Sequence, residues 1–500
     1  MEDIRMNTSL FFLSSLKTIS EKHAENDAFC IDGQAFTYGE FYQKVNAITH
    51  ALLAENKQQL KVLVATNNDL ETYASIIAIW QTGNIYIPLN ISESNNKTTR
   101  IIETLKPDLL LQSNLSEAEF INDIKILKTN KLINYTSTNN LIKIKETDIA
   151  YTLFTSGTTG VPKGVPISYQ NLNAFVDSFL SLDYSISDKD VFLQMANLTF
   201  DMSIISTLIP LCIGAKIVTV NPTEIKYLAT YQALAEQNIT VLTTAPSTLQ
   251  LLEPYYSEIN LEQLKYTFVG AEAFYESTAK EWLKCAPNSQ IINLYGPSEG
   301  GVLTSTYNWR LNSETYQGIV SIGKSVKNIK LYIVDTNGNI IQNSDKGEAW
   351  ISGPQVFDSY SNPTENNDKF EDLILDGKTQ KCYKTGDIVF RNHNGNLFYC
   401  GRKDQQVKIQ GQRVELSEIE HYASKLSQLF KPVALCYKGQ FNSNKIALFV
   451  GKETDKKALK ETLQQHLPEY MIPAKIIELS AIPLNKNQKV DVVKLMSYLE

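Results

Sequence analysis

The segment YTLFTSGTTGVPKGV at residues 151–165 carries the densest group of chemically active residue types in the sequence. A strand-like apolar run leads into a loop rich in glycine and hydroxyl side chains. Glycines allow backbone angles that direct successive N–H groups at an anion, and the hydroxyls and a lysine add donors. The Walker A pattern GxxxxGK[ST] does not fit here. We therefore expect a triphosphate-binding loop formed by Thr155, Ser156, Gly157, Thr158, Thr159, Gly160 and Lys163.

Two other segments place carboxylates beside turn-forming residues. In NLYGPSEG (293–300), Glu299 offers the hard oxygen ligand that Mg²⁺ prefers. In YKTGD (383–387), Asp387 follows a glycine and could accept hydrogen bonds from both hydroxyls of a ribose. Either carboxylate alone would be an ordinary surface charge. Their residue types alone leave open whether they are surface charges or ligands of a ribose and a magnesium ion.

The elements that must position these residues follow an alternating pattern. Residues 60–90 predict strand, helix, turn and strand, and similar apolar β-branched runs alternate with helices after residue 190. From about residue 320, short alternating strands with Asn-Gly turns indicate antiparallel structure. The predicted fold is α/β: a large N-terminal domain (1–403) with helix-flanked parallel sheets and a β-barrel-like part, and a small mobile α+β C-terminal domain (404–500).

Bulk composition limits the class of protein further. A chain of 500 residues is too long for one core, and 43% apolar with 20% charged residues is typical of soluble globular proteins. The net charge of −7 argues against a general nucleic-acid binder. Six scattered cysteines without zinc-type spacing indicate reduced thiols. The N-terminus is a poor signal peptide and no apolar stretch suits a membrane span, so we expect a cytoplasmic enzyme.

The phosphate loop resembles the signature of the adenylate-forming (AMP-binding) superfamily, which includes acyl-CoA synthetases, firefly luciferase and nonribosomal peptide synthetase adenylation domains. The resemblance continues in the family's order across nearly the whole chain. The segments that carry it are FTYGEF (36–41), TGNIYIPLN (82–90), NLYGPSEG (293–300), YKTGD (383–387), GRKDQQVKIQGQRVELSEIE (401–420), LPEYMIP (467–473) and PLNKNQKVD (483–491). From these motifs the chain is identified as a member of the superfamily.

The resemblance implies a set of nucleotide-binding residues. It implies that Tyr295 stacks on adenine, that Glu299 helps to hold the magnesium ion, and that Asp387 binds the ribose. Tyr399 and Arg402 would lie near the same nucleotide. The other ATP- or AMP-binding positions that it implies are Gly270, Ala271, Glu272, Asn293, Leu294, Gly296, Pro297 and Ser298.

The last hundred residues are expected to supply a catalytic lysine and a hinge. A cation near the acyl oxygen and the α-phosphate would stabilise the charge that shifts as pyrophosphate leaves. The resemblance implies that Lys489 does this, although Gln488 stands where the family usually has glycine, and a second lysine, Lys486, lies nearby. It also implies a hinge at Asp404, about which the small domain turns so that a thiol can enter. Gly411 would allow close approach of the thiol-bearing arm.

The segment TFDMS (199–203) points to the class of acid that is activated. Amino-acid-activating members of the family pair a carboxylate, here Asp201, with the α-ammonium group of the substrate. Burying a carboxylate without a positively charged partner would cost free energy, so enzymes for acids that lack an ammonium group are not expected to have one here. The alternative role of Asp201 is to cap the next helix. The resemblance implies further substrate-binding positions at Met202, Ile205, Thr243, Phe268, Gly270, Leu294, Val302 and Leu303, with Lys489 on the carboxylate. No residue of this set could neutralise a charged side chain, so we expect an uncharged, apolar amino acid.

The predicted activity is ATP- and Mg²⁺-dependent formation of an aminoacyl-adenylate, followed by transfer to the phosphopantetheine thiol of a carrier protein. The carrier is expected to be a separate protein, because the sequence has neither a carrier-protein serine motif nor HHxxxDG. The length of the chain and the arrangement of its motifs also resemble D-alanine–carrier-protein ligase. That enzyme typically has cysteine at the position of Gly270. An acyl- or aryl-CoA synthetase and a nucleotide-binding regulator without catalysis are the remaining alternatives.

Overall fold

The chain forms two compact units. The first comprises Met1–Asn90, Leu105–Leu153 and Gly164–Lys403. The second comprises Ile91–Thr104, Phe154–Lys163 and Asp404–Glu500. The computed structural model describes residues 10–90, 95–113, 124–133, 142–155, 162–221, 224–341, 345–375, 377–404, 406–427, 429–439, 443–485 and 490–499.

The helices of the described residues lie mainly in the first 300 positions. None of these helices has both the length and the apolar character needed to cross a membrane. Their bounds are α1 (Phe11–Lys22), α2 (Tyr38–Leu53), α3 (Leu70–Gln81), α4 (Asn95–Leu105), α5 (Tyr169–Leu180), α6 (Met202–Ile213), α7 (Lys226–Glu236), α8 (Pro246–Leu252), α9 (Glu276–Trp282), α10 (Leu416–Ala423), α11 (Lys456–His466) and α12 (Val492–Met496).

The strands are short and form several separate sheets. Their bounds are β1 (Asp27–Ile31), β2 (Gln34–Thr37), β3 (Lys61–Ala65), β4 (Ile85–Leu89), β5 (Leu109–Gln112), β6 (Lys125–Lys128), β7 (Ile149–Thr155), β8 (Lys163–Ser168), β9 (Val191–Gln194), β10 (Lys216–Thr219), β11 (Val241–Thr244), β12 (Tyr266–Val269), β13 (Gln290–Tyr295), β14 (Ser305–Trp309), β15 (Thr315–Tyr316), β16 (Ile319–Val320), β17 (Lys324–Ser325), β18 (Lys330–Val334), β19 (Gly347–Ser352), β20 (Phe370–Leu375), β21 (Lys378–Arg391), β22 (Leu397–Arg402), β23 (Gln406–Ile409), β24 (Gln412–Glu415), β25 (Val433–Lys438), β26 (Asn444–Gly451) and β27 (Lys475–Leu479).

Side-chain caps determine where two early helices begin. At the start of α2, the backbone N–H of Glu40 donates to Oγ1 of Thr37 at 3.2 Å, and the backbone N–H of Thr37 donates to Oε2 of Glu40 at 2.8 Å. This reciprocal pair is a capping box, which satisfies two backbone donors that the helix cannot. At the start of α3, Asp69 accepts from the backbone N–H of Thr72 at 2.8 Å. The FTYGEF segment therefore has a structural role as a helix start.

Two large sheets with parallel centres form most of the first unit. One has six strands in the order β6-β5-β3-β4-β7-β8, and α3 connects β3 to β4 and packs against both. The other has nine strands in the order β17-β14-β13-β12-β11-β9-β10-β1-β2. Its strands from β13 to β1 pair in parallel, and antiparallel strands lie at both edges. The predicted helix-flanked parallel sheets are confirmed.

The nine-stranded sheet is buried on both faces, which explains the apolar composition of its central strands. On one face, Phe268 of β12 packs in the same core as Phe179 of α5 and Ile205 of α6. On the other face, Val269 packs in a separate core with Trp282 of α9. Helix α6 is buried along its whole length. These layers fix the ends of the strands and of α6 at the candidate site.

The antiparallel part of the first unit is a five-stranded sheet. Strands β18, β19, β21 and β20 follow one another, and β22 pairs with β21. All of these pairs are antiparallel, as the Asn-Gly turns and alternating strands predict. Among the described residues no pairing closes this sheet into a barrel. The long strand β21 places Asp387 opposite Arg402 of β22.

The C-terminal part of the second unit is a small α+β arrangement. The hairpin β23-β24 and the three-stranded sheet β25-β26-β27 accompany helices α10 and α11. Their apolar side chains form a core of their own around Ile419, Leu448 and Leu463. Gly411 lies in the turn between β23 and β24 with φ +79°, a conformation that favours glycine.

All six cysteines are free thiols, and Cys30, Cys212, Cys285 and Cys382 are buried. Burial raises the pKa of the Cys285 thiol to about 12 and that of the Cys382 thiol to about 11. Burial also raises the pKa of Cys212 well above its usual value. These three thiols are therefore protonated at neutral pH.

Candidate active site

Several predicted site residues meet where three neighbouring parallel strands end. Thr243 is in β11, Phe268 is in β12 and Leu294 is in β13, and Thr243 and Phe268 are direct partners across the ladder. Gly270 and Ala271 follow β12. Ligands of parallel α/β sheets bind outside the carboxyl ends of the strands. This edge is therefore the candidate site.

Tyr295, Asp387 and Arg402 form one hydrogen-bonded group. The Tyr295 hydroxyl donates to Oδ2 of Asp387 at 2.7 Å, and Nη1 of Arg402 donates to Oδ1 at 2.7 Å. Burial and the neighbouring Asp387 carboxylate raise the pKa of Tyr295, so its hydroxyl remains a donor. Tyr399, the fourth residue predicted here, is half-buried in β22. The group holds an aromatic ring and a carboxylate in fixed positions, as recognition of a nucleoside requires.

The carboxylate of Glu299 is fully buried and belongs to a chain of hydroxyl groups. The Tyr360 hydroxyl donates to Oε1 of Glu299 at 2.5 Å and lies 3.0 Å from the Tyr383 hydroxyl. Within the described residues, no group of three or more His, Cys, Asp or Glu could hold a metal ion. A single carboxylate such as Glu299 supplies the hard oxygen ligand that suits a magnesium ion whose other ligands are water and phosphate oxygens.

Two site positions hold residues other than glycine at positive φ. The φ angle is +70° at Ala271 and +76° at Val302. This conformation is strained for a β-branched side chain such as valine, and strain of this kind concentrates at functional sites. A Cβ atom at Gly296 would lie 2.4 Å from the carbonyl oxygen of Val302, so only glycine fits there. The loops after β12 and β13 are thus held in unusual conformations.

Asp201 occupies the N-cap position of α6 and is buried. Its backbone is already helical, with φ −64° and ψ −25°, and its side chain accepts no capping hydrogen bond from the first turn of α6. Burial raises the pKa of Tyr151, and the negative charge of the Asp201 carboxylate raises it further, which indicates that the two side chains lie near each other. Met202 and Ile205, the next predicted substrate residues, are buried in the same helix. The geometry does not support the alternative in which Asp201 is a helix cap.

Two residues that were predicted to bind the nucleotide form side-chain hydrogen bonds with the backbone of neighbouring segments. Nδ2 of Asn293 donates to the carbonyl oxygen of Ser321 at 2.9 Å. Oε2 of Glu272 accepts from the backbone N–H of Ser247, in the first turn of α8, at 3.1 Å. These side chains support the loops around the site. Pro297, Ser298 and the buried Leu303 lie in the segment that follows β13.

Part of the predicted site lies outside the described residues. These positions are Ser156, Gly157, Thr158, Thr159, Gly160 and the predicted catalytic Lys489. Thr155 ends β7 and the buried Lys163 begins β8, so the predicted phosphate loop is the segment of sequence between these two strands. In the second unit, Oδ1 of Asp404 accepts from the backbone N–H of Gln406 at 3.3 Å.

Sequence reasoning did not single out Tyr151 or Tyr360. Tyr151 lies near Asp201, and Tyr360 contacts the carboxylate of Glu299. Tyr383, which continues the hydroxyl chain, begins the YKTGD motif and could have been found from it. No local pattern marks Tyr360, because its partners are distant in the chain.

Comparisons with known proteins agree with this architecture. The model of the family "AMP-binding enzyme" matches residues 16–361. The D-alanine--D-alanyl carrier protein ligase of Bacillus cytotoxicus is 30% identical, with 97% of this chain and 99% of the ligase covered. Gramicidin S synthase 1 of Brevibacillus brevis is 28% identical over 94% of this chain, which spans only 43% of that larger protein. The Vibrio cholerae adenylation domain AlmE in complex with glycyl-adenosine-5'-phosphate has a TM-score of 0.86 at 21% identity, with 99% of each chain covered.

The family match and the relatives define an adenylate-forming enzyme. The chain belongs to the AMP-binding enzyme family. The predicted family and the predicted α/β fold are confirmed.

Proposed function

We propose that this chain is an ATP-dependent ligase that activates an uncharged, apolar amino acid as an aminoacyl-adenylate and passes the acyl group to a carrier-protein thiol. The observation that carries the proposal is the buried carboxylate of Asp201, which does not cap its helix. A carboxylate in this position suits the α-ammonium group of an amino acid. The kinship with D-alanine carrier protein ligases and with gramicidin S synthase 1 supports the same class of substrate.

The first half-reaction forms the adenylate. A carboxylate oxygen of the amino acid attacks the α-phosphorus of ATP, and the bond from that phosphorus to the bridging oxygen breaks to release pyrophosphate. Lys489 would stabilise the charge on the acyl and phosphoryl oxygens as it shifts. Glu299 would hold the magnesium ion, which supplies positive charge to the phosphate oxygens when bound. Tyr360 positions that carboxylate through its hydrogen bond.

The nucleoside would be held by the group described above. The ring of Tyr295 offers a flat face for adenine, and Asp387 offers a carboxylate for the ribose hydroxyls. Arg402 and the Tyr295 hydroxyl orient that carboxylate, because each contacts one of its two oxygens. The phosphate loop would bind the phosphates through its backbone N–H groups and Lys163.

The second half-reaction moves the acyl group. The thiol of the phosphopantetheine arm loses its proton and attacks the carbonyl carbon, and the carbon–oxygen bond to AMP breaks. This step needs a different arrangement from adenylation, since the thiol must replace Lys489 at the acyl group. We propose a hinge at Asp404, the first residue of the C-terminal segment of the second unit, and we expect the arm to approach Gly411.

The second candidate is a D-alanine–carrier-protein ligase. It is favoured by the 99% coverage of the Bacillus cytotoxicus ligase. It is disfavoured at Gly270, where that class of enzyme typically has cysteine. A Cβ atom at Gly270 would lie 3.2 Å from Cβ of Leu294, so a larger side chain would crowd this strand end.

Amino-acid-dependent pyrophosphate–ATP exchange tests the proposal. The panel contains L- and D-amino acids together with fatty and aryl acids. We expect exchange with an uncharged amino acid. Exchange with D-alanine alone would favour the second candidate, and exchange limited to fatty or aryl acids would indicate a CoA synthetase. ATP binding without turnover on any acid would indicate a regulator.

A further inference from the structure

A cavity of about 780 Å³ lies beside the antiparallel sheet of the first unit. Its walls come from the start of β18, from the end of β19 with the loop that follows it, and from parts of β20 and β21. Cavities of this size in proteins hold organic ligands of the size of a drug molecule. Among the described residues that line it, none is a predicted nucleotide- or substrate-binding residue. The cavity is therefore distinct from the candidate active site.

The loop after β19, which forms one wall of the cavity, is fixed by hydrogen bonds. Nδ2 of Asn171 donates to the carbonyl oxygens of Pro354 at 2.8 Å and of Val356 at 3.0 Å. The backbone N–H of Phe357 donates to the carbonyl oxygen of Glu299 at 3.0 Å. Because α5 and the segment after β13 both hold this loop, the wall is preformed, and binding a ligand would cost little free energy for ordering it.

Three aromatic residues in mutual contact line the cavity. The ring centroid of Phe357 lies 5.3 Å from that of Phe370 and 5.5 Å from that of Tyr383, and the centroids of Phe370 and Tyr383 are 5.7 Å apart. Phe370 is half-buried, whereas the other two residues are buried and hold its ring in place. The half-buried Val356 also lines the cavity. Phe370 and Val356 thus supply an apolar surface that suits a flat or branched hydrocarbon body.

Two lysines line the same cavity. Nζ of Lys381 lies 4.5 Å from the ring centroid of Phe370 and donates to the carbonyl oxygen of Asp358 at 2.8 Å. An ammonium group has three N–H donors, so two of those on Lys381 remain for a ligand. Lys330 is exposed at the start of β18, and within the described part of the chain neither lysine forms an ion pair. The cavity therefore offers donors to an anion directly beside its apolar surface.

The charges of the lining favour an anion with a single negative charge. Lys330 and Lys381 contribute two positive charges and Asp358 one negative charge, so the lining has a net charge of +1. A carboxylate balances this charge and accepts charge-assisted hydrogen bonds from ammonium groups. A phosphate monoester, with nearly two negative charges at neutral pH, would leave an excess of negative charge beside Asp358.

We propose that this cavity is a second ligand site of the protein and that it binds an organic carboxylate with a flat or branched apolar body. The carboxylate accepts hydrogen bonds from the ammonium groups of Lys330 and Lys381, while the body packs against Phe370 and Val356. The inference goes beyond the proposed function and does not rest on it, because no residue assigned to the aminoacyl-adenylate takes part.

The second site is a neighbour of the carboxylate of Glu299. Tyr383 lines the cavity, and its hydroxyl lies 3.0 Å from that of Tyr360, which donates to Glu299. A ligand in the cavity would therefore contact the side chains that support Glu299 without occupying the nucleotide site. Since the two sites are this close, a binding experiment must keep the nucleotide site filled.

Fluorescence titration with 1-pyrenebutyrate tests the proposal, and 1-pyrenebutanol serves as the uncharged probe of the same shape. Both titrations use the full chain saturated with α,β-methylene-ATP and Mg²⁺. We expect the carboxylate to bind at a single site and roughly tenfold more tightly than the alcohol, as a hydrogen bond to a charged group contributes. Equal affinity of the two probes overturns the inference, and so does loss of 1-pyrenebutyrate binding when the nucleotide site is filled.

Matched variants show whether the probe binds in this cavity. Lys381→Met and Lys330→Met each remove an ammonium group and keep an apolar side chain. Each should weaken the binding of 1-pyrenebutyrate roughly tenfold and leave that of 1-pyrenebutanol nearly unchanged. The control is Lys384→Met, which removes the same charge from β21 but three positions further along, on the opposite face of the strand. It should bind both probes like the wild type.

Weaker binding in either cavity variant, with the control unaffected, supports the inference. Unchanged affinity for 1-pyrenebutyrate in both cavity variants overturns it, as does an equal loss in the Lys384→Met control. Circular dichroism and thermal melting show whether each variant is folded. If Lys381→Met does not fold, Lys330→Met decides by the same comparison, because Lys330 is exposed.

Discussion

In the proposed function, the class of substrate depends on the carboxylate of Asp201. In Asp201→Ala, the substrate ammonium loses its counter-charge, and we expect kcat/KM for amino-acid-dependent exchange to fall by the equivalent of roughly 2–5 kcal/mol. The same variant should be unimpaired, or improved, with a carboxylic acid that lacks an ammonium group. Undiminished exchange with the amino acid would show that another group recognises the ammonium.

The lysine that acts on the α-phosphate can be identified by comparing two neighbours. Lys489→Ala should reduce adenylation roughly 10²- to 10³-fold, as expected when a preorganised donor to the developing charge is removed. Lys486→Ala is the matched control, since it removes the same charge from the same segment. Exchange should remain near wild type there. The opposite result would transfer the catalytic role to Lys486.

A site residue could be predicted from the sequence when a short local motif contains it, and could not when its role depends on a partner far away in the chain. Glu299, Asp387 and Asp201 stand in short motifs that resemble those of the adenylate-forming family, and that resemblance was enough to select them. The hydrogen bond from Tyr360 to Glu299 joins residues that are 61 positions apart, and no local pattern encodes it. The hydrogen bond from the Asn293 side chain to the carbonyl oxygen of Ser321 could not be predicted for the same reason.

The capping box of α2 gives a prediction for a single element. Thr37→Ala removes the acceptor for the backbone N–H of Glu40, and we expect a loss of about 1 kcal/mol in the free energy of unfolding. Thermal or urea unfolding of the chain measures this loss, and Thr37→Ser, which keeps the hydroxyl, should retain most of the stability. Adenylation should be unaffected at temperatures where both variants are folded. Equal stability of the alanine variant and the wild type would contradict the role of this cap.

Elements with strong local patterns were predicted well. The segment 60–90 forms β3, α3 and β4, because buried β-branched runs and an amphipathic stretch specify these elements locally. The packing of aromatic rings around Phe268 could not be predicted in the same way. Phe179, Tyr184 and Phe268 meet only when α5 lies on the nine-stranded sheet, so their contact depends on tertiary packing.

The proposed hinge can be tested in the whole molecule. Proline at position 404 would fix φ near −65° and restrict the preceding residue, so rotation there should become difficult. In Asp404→Pro, we expect pyrophosphate exchange to continue, while AMP release on addition of pantetheine as thiol acceptor falls on the order of tenfold. Asp404→Ala, which leaves the backbone free, should support both reactions. If the proline variant supported both equally, the hinge would have to lie elsewhere.

The buried, protonated thiols have a consequence for chemoselectivity. An aminoacyl-adenylate acylates thiolates readily, so a protein that makes one risks modifying itself. Burial protects three thiols from this reaction in two ways: it excludes the acyl donor, and it raises the pKa of each thiol. These thiols belong to Cys212, Cys285 and Cys382. In the proposed reaction, these buried thiols would therefore not compete with the thiol of a carrier protein for the activated acyl group.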